Sequence, residues 1–216
     1  MIPSLRRQEF RAVSDKEASR IGRHLFYGVH GAKSYKKAFP YLLQAARAGF
    51  VHSQNLVGYC YSLGLGTRRD KKSALFWFGA AAEGNHKEAL FNLALAYEKG
   101  EGTALNLKKA FLLYRRAANL GDTAAQCNLG FAYLEGLGTT PEPEKGIFWL
   151  RRAASRGDSK AQYGLGKACL QGEHVRRSVG IARIWLAKAA KQGHRRANAA
   201  LHQLRTHGRH HDAMRE

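Results

Sequence analysis

What this chain of 216 residues lacks removes several classes of protein at once. It has three cysteines, Cys60, Cys127 and Cys169, an odd number with no C-x-x-C pair, which excludes a disulfide framework or a zinc-ribbon arrangement and leaves the thiols reduced. No run of about 18 apolar residues occurs, and the opening MIPSLRRQEFRAVSDKEASR has no apolar segment of the kind a signal peptide needs. Neither a membrane span nor secretion by such a peptide is expected, and Glu9, Asp15 and Glu17 argue against an Arg-rich organelle presequence. The expected location is the cytoplasm. The chemistry-bearing patterns G-x-S-x-G, H-E-x-x-H and paired carboxylates are absent as well, so no catalytic residues, metal site or cofactor are assigned and the chain is read as a non-enzyme.

Acidic residues are also scarce: 16 Asp and Glu face 36 Lys and Arg, a formal net charge of +20. The surplus is uneven, +7 over residues 1–52, +4 over 53–124, +1 over 125–160 and +8 over 161–216. Such a field favours acidic partners without choosing between protein, nucleic acid and anionic lipid. Apolar residues make up 44% of the chain, which is globular composition.

What is present in abundance is repetition. The stretches VGYCYSLGLGT, LALAYEKGEGT and LGFAYLEGLGT begin at residues 57, 93 and 129, 36 residues apart. The same shift aligns an apolar series, Ile21, Val57, Leu93, Leu129, Leu165 and Leu201, each followed mostly by Gly. Four residues further stand Leu25, Tyr61, Tyr97, Tyr133, Cys169 and Arg205, and three beyond them Gly28, Gly64, Gly100, Gly136, Gly172 and Gly208. Spacings of four and three put the apolar residues on one helical face and the glycine at its end. A second helix follows each loop, with Ala38, Ala74, Ala110, Gly146 and Ala182, then Tyr41, Trp77, Leu113, Trp149 and Trp185, then paired alanines. Small residues permit close helix approach and the aromatic fills the gap. Asp70 and Asn106 stand at N-cap positions and Pro143 in a first turn. Gly49, Asn85, Gly121, Gly157 and Gly193 close the unit, and the register assigns the left-handed conformation in copy two to Asn85 rather than to its neighbour Gly84.

One helical hairpin cannot bury its apolar face, so the units must stack. The expected fold is all-α, a right-handed α/α solenoid superhelix of about five 36-residue helix-loop-helix repeats plus a terminal half-repeat. Residues 1–16 read as a leader, 17–208 as the solenoid (17–52, 53–88, 89–124, 125–160, 161–196 and the half-repeat 197–208) and 209–216 as a polar tail.

The pattern A-x3-L-G-x2-Y-x2-G-x-G, an acidic cap, K-A-x2-W-aromatic and A-A-x2-G resembles the Sel1-like repeat family, a relative of tetratricopeptide repeats with a longer loop. Copy three matches almost throughout, at Ala125, Leu129, Gly130, Tyr133, Gly136, Gly138, Trp149, Ala153, Ala154 and Gly157. Departures lie toward the ends: His30 and His174 replace the second loop glycine, and Cys169 replaces the tyrosine. The resemblance implies an adaptor that holds partner proteins on the face lined by the first helices. A cysteine-rich branch of the family is linked to β-lactam binding, but its paired cysteines are missing here, so an anion- or β-lactam-binding, enzyme-like role is a distant second alternative.

The loop glycines fit structural punctuation better than phosphate binding, because GLGTRR, GEGTAL and GLGTTP lack the third glycine of a dinucleotide fingerprint and follow helices. Arg68 and Arg69 would support an anion nest if one existed. His207, His210 and His211 form a cluster in the tail that reads as adventitious, and Cys127 reads as a packing thiol before a reactive one.

If the first helices line the inner surface, the residues two before and two after the apolar series point into a groove: Asn55 and Tyr59, Phe91 and Leu95, Cys127 and Phe131, Tyr163 and Lys167. Glu98, Glu135 and Lys167 border it, and Leu134 joins Phe131 and Glu135 as positions the repeat leaves free. The expected partner is an acidic or amphipathic protein segment anchored on aromatics. The same side chains read equally well as inter-repeat core. Arg115 and Arg116, Arg151 and Arg152, and Lys188 form an expected outer basic stripe, which makes a nucleic-acid-associated protein the first alternative. Against that alternative, no stacking aromatics are expected among those cations. Composition leaves the oligomeric state open.

Overall fold

The computed structural model describes residues 13–29 and 31–212, with side chains described as far as residue 206. Among the described residues there are eleven helices and no strand. The first ten are each 13 residues long: α1 (Asp15–Tyr27), α2 (Tyr35–Arg47), α3 (Val51–Leu63), α4 (Lys71–Glu83), α5 (Lys87–Lys99), α6 (Leu107–Asn119), α7 (Thr123–Glu135), α8 (Pro143–Ser155), α9 (Ser159–Gln171) and α10 (Val179–Lys191). Odd-numbered helices start every 36 residues from Asp15, and even-numbered ones every 36 residues from Tyr35. The all-α repeat expected from the sequence is therefore the one observed. α11 (Arg195–Asp212) continues through Gly208, where the series of loop glycines would end a first helix. His30, and the side chains of His207, His210 and His211, lie outside the described residues.

Each first helix stops at a glycine in the left-handed region. In copy three, Gly136 (φ 71°) donates its N–H to the Ala132 carbonyl, and Leu137 donates to the same oxygen. These bonds satisfy carbonyls that the helix end leaves unpaired. One further bond secures every loop: the residue before the second helix donates its N–H to the carbonyl at the motif-tyrosine position, as Glu142 does to Tyr133 (2.8 Å), Asn106 to Tyr97 (2.8 Å) and, where the tyrosine is replaced, Ser34 to Leu25 and Ser178 to Cys169. Asp70 and Asn106 cap their helices as expected, and Asp122 and Asp158 do the same for α7 and α9, accepting from Ala125 (2.7 Å) and Ala161 (2.8 Å). Each such cap stabilises a helix by about 1 kcal/mol. At the other end of the hairpin, Asn85 has φ 56° while Gly84 sits at φ −77°, so the left-handed residue of copy two is the asparagine.

The second helices differ from expectation by one residue. Tyr41, Trp77, Leu113, Trp149 and Trp185 are only half-buried, and the interior place belongs to their successors Leu42, Phe78, Tyr114, Leu150 and Leu186, each at most 4% exposed. Four of these successors, Leu42, Phe78, Leu150 and Leu186, are knobs that enter a gap in the first helix of the same repeat. A Cβ placed on Gly130 would come within 2.8 Å of Leu150, and one on Gly58 within 2.6 Å of Phe78. The glycine that follows the apolar series is thus the hole for a specific side chain, and burying such a leucine contributes roughly 1.5–3 kcal/mol.

Two compact units divide the chain, one ending at Gly84 and the other beginning at Asn85. The first contains α1 to α4 around Phe26, Leu42, Leu56, Val57 and Cys60. The second contains α5 to α11, with one core cluster around Cys127, Ile147, Leu150 and Leu165 and another around Leu186 and Ala197. Within each unit a buried or half-buried glutamine ties one repeat to the next. Gln54 donates to the Ala46 carbonyl, Gln126 to Ala118 and Gln162 to Ala154, so a side chain of each first helix satisfies the end of the helix before it.

Candidate interaction site on the first helices of the second unit

The side chains that the second unit leaves over after packing converge on α7 and α9. Phe131, Leu134 and Glu135 of α7 and Lys160, Tyr163 and Lys167 of α9 line a cleft of about 690 Å³, closed at its far side by His194, Arg195 and Arg196. A smaller cleft of about 360 Å³ adjoins it, lined among others by Glu98, Phe111, Tyr114 and Asn128, and it shares Phe131, Glu135 and Lys160 with the first. Phe131 therefore stands between two hollows, half-buried. It fits because α9 has glycine opposite: a Cβ on Gly164 would be 2.9 Å from the Phe131 ring.

Polar geometry is ordered at both ends. Tyr114 donates its hydroxyl hydrogen to Glu98 Oε2 at 2.7 Å, and burial, reinforced by that carboxylate, holds the phenol well above its usual ionisation range, so it remains a donor. Tyr163 stacks on the His194 ring with centroids 4.6 Å apart and planes at 21°. Cations outnumber carboxylates on the α9 and α11 side, where Lys160, Lys167, Arg195 and Arg196 stand with Glu173, whereas Glu98 and Glu135 lie toward α5 and α7.

The structure thus brings together Glu98, Phe131, Leu134, Glu135, Tyr163 and Lys167 of the expected groove. Phe91 and Leu95 are half-buried, and the Phe91 ring lies 5.9 Å from that of Tyr114. Cys127 must be corrected: at 1% exposure it is a core residue of the α7–α8–α9 cluster, where burial pushes its thiol far up, and it does not line the groove. Asn55, in the first unit, is likewise interior at 8% exposure, while Tyr59 is exposed there. Arg195 and Arg196, which the sequence places in a basic stretch suited to nucleic acid and not in the groove, reach the cleft because the start of α11 occupies the place of a sixth first helix; their position in the repeat register was the available signal.

On the second helices Arg115, Arg116, Arg151, Arg152 and Lys188 are exposed, as expected. Arg116 donates to Asn85 Oδ1 (2.9 Å), and Arg152 and Lys188 lie over the rings of Trp149 and Trp185. The expectation that no aromatic stands among these cations is overturned, because Phe148 is 55% exposed beside Arg151 and Arg152. No cluster of three or more potential metal-binding side chains occurs among the described residues, and no helix among them is long and apolar enough to cross a membrane.

Helical hairpins that return every 36 residues and pack on their neighbours define a helical-repeat protein. The Sel1 repeat matches residues 18–50, 51–86, 87–122, 123–158 and 159–194, and the chain belongs to the Sel1 repeat family. A Sel1 repeat protein from Oxalobacter formigenes is 30% identical with a TM-score of 0.78, the match covering 85% of this chain and 75% of that one. The uropathogenic Escherichia coli protective antigen c5321, described as displaying an SLR fold, is 31% identical with a TM-score of 0.81, over 88% of this chain and 41% of its own. The Saccharomyces cerevisiae chitin synthase regulator SKT5 is 34% identical over 68 residues, which span 32% of this chain but a tenth of that protein.

Proposed function

We propose that this chain is a non-enzymatic scaffold that holds an acidic or amphipathic protein segment on the inner face of its second unit. Sel1 repeat proteins generally serve as protein-interaction scaffolds, and the observation that supports the particular face is Phe131: a large aromatic left half-exposed between two adjoining clefts and flanked by charge. An apolar side chain of the partner gains most of its burial there, since the hollow already exists and little side-chain ordering is spent in forming it. Lys160, Lys167, Arg195 and Arg196 then match carboxylates of the same segment, setting register and raising the encounter rate.

The test is affinity purification with the intact chain beside a Phe91→Ala/Phe131→Ala variant and a Lys167→Glu variant, with melting temperatures measured for each. Retained folding with loss of the co-purifying proteins in both variants is the expected outcome. A folded alanine variant that keeps every partner would overturn the reading, and so would a complete loss of folding, which would return these rings to the core.

A further inference from the structure

The second helices of the second unit carry exposed apolar side chains at one repeat position, where the fold has no use for them. Leu112 on α6, Phe148 on α8 and Ile184 on α10 are 36 residues apart and 40%, 55% and 56% exposed. The equivalent residue of the first unit, Phe76, is 67% exposed. Packing does not demand this, because the buried stripe of each helix lies on the opposite side, at Phe111, Tyr114 and Ala117 of α6 and at Ile147, Leu150 and Ala153 of α8.

Each of these side chains is followed at helical spacing by cations: Arg115 and Arg116 after Leu112, Arg151 and Arg152 after Phe148, Lys188 after Ile184. Positions three and four residues on share a helix face. α6, α8 and α10 hold four, three and three Lys or Arg respectively, against a single carboxylate, Glu144. In the second unit, an exposed aliphatic or aromatic side chain with cations at helical spacing therefore recurs on α6, α8 and α10, with Glu144 also beside Phe148.

We infer that this outer face docks on the surface of an anionic phospholipid bilayer, with Leu112, Phe148 and Ile184 inserting below the headgroups and the flanking Arg and Lys meeting lipid phosphates. Charge complementarity selects an anionic partner, and the apolar residues select among anionic partners. Leu112 and Ile184 have no π-face on which a nucleic-acid base could stack, whereas aliphatic side chains enter the acyl boundary as readily as Phe148 does. The three stand on separate helices, with the exposed Ile181 beside Ile184 on α10, and a bilayer surface can take up side chains presented by several helices at once. Each cation near an anionic surface strengthens attachment about fivefold, and the effect fades with salt.

The experiment is co-sedimentation of the intact chain with vesicles of phosphatidylcholine alone and of phosphatidylcholine mixed with phosphatidylglycerol, at low and high salt. It is repeated for Leu112→Ser/Phe148→Ser/Ile184→Ser, whose folding is checked by thermal melting. Expected are binding to the anionic vesicles only, weakening with salt, and a fall on the order of tenfold or more in the serine variant at unchanged net charge. Absence of vesicle binding at low salt overturns the proposal. Binding that the serine substitutions leave intact also overturns it, since charge alone would then account for it. In a parallel titration with an RNA oligonucleotide, binding tighter than to vesicles and weakened by Phe148→Ser but not by Leu112→Ser overturns it in favour of nucleic acid. The inner-face reading stands or falls separately, because none of these substitutions touches the cleft of α7 and α9.

Discussion

First and second helices of a repeat have the same length and opposite circumstances. In α7, seven of 13 residues are buried and the side chains left over, Phe131, Leu134 and Glu135, face a cleft; in α8, five are buried and a whole face carrying Phe148, Arg151 and Arg152 meets solvent. A first helix lies between the hairpin partner on one side and neighbouring repeats on the others, so few of its positions are free to vary. A second helix closes the repeat and is packed on one stripe only. In this repeat the first helix adds a narrow recognition strip to its share of the core, while the second helix offers a broad surface whose composition the fold does not dictate.

The joint between the two kinds of helix should be the most sensitive place. Gly138 has φ 75°, and a Cβ there would overlap the Leu107 carbonyl at the start of the preceding second helix. Gly138→Ala is expected to cost more than about 3 kcal/mol, combining left-handed strain with a backbone clash. Gly157→Ala, at φ 96° with nothing within 4 Å, should cost only about 1 kcal/mol. Denaturant melts of the two variants check this, and equal losses would show that φ alone governs the loops.

The contrast between helices is sharpened by Leu129→Ala against Ile184→Ala. Leu129 is 0% exposed on a first helix and its truncation should cost about 2–5 kcal/mol, whereas Ile184, 56% exposed on a second helix, should cost under about 0.5 kcal/mol. Comparable losses would erase the distinction between the two layers.

The smallest effect concerns ionisation. Burial raises the Cys60 thiol to about 12, above the roughly 8.5 of an unfolded chain. The folded state therefore keeps a proton that the unfolded state releases. Stability from this site is full below the unfolded value and declines between the two as pH rises, by about 1.4 kcal/mol per pH unit at most. Unfolding measured across alkaline pH should show a shallower decline in Cys60→Ala than in the natural chain. An unchanged slope would mean the thiol is wetter than its position on α3 implies.

Most of the architecture was legible because one period governs both the caps and the core. The 36-residue frame set the order and period of the helices, although the first helices begin two residues before the repeat bounds read from it, and it assigned the left-handed residue to Asn85, whose φ of 56° obeys the register although a glycine stands beside it. His174 occupies a loop-glycine position and duly has φ 58°, a conformation few non-glycine residues adopt. What escaped was decided by packing across the hairpin. Trp149 was read as the interior residue of α8, whereas Leu150 is, because the gap opposite Gly130 admits the leucine and the larger indole lies at the rim. Cys127 shares its face with Phe131 by spacing alone, but the neighbouring α8 and α9 cover the first completely and the second only in part. The exposed row of Leu112, Phe148 and Ile184 was invisible to a reading that sought apolar residues only where a core required them.

A frame that returns every 36 residues has a meaning for whatever binds it. Successive first helices of the second unit present their free side chains in the same register, one step per repeat. Phe131 on α7 and Tyr163 and Lys167 on α9 would meet successive side chains of one ligand, so the natural code for this surface is an even spacing of anchors, written in the partner rather than in the scaffold.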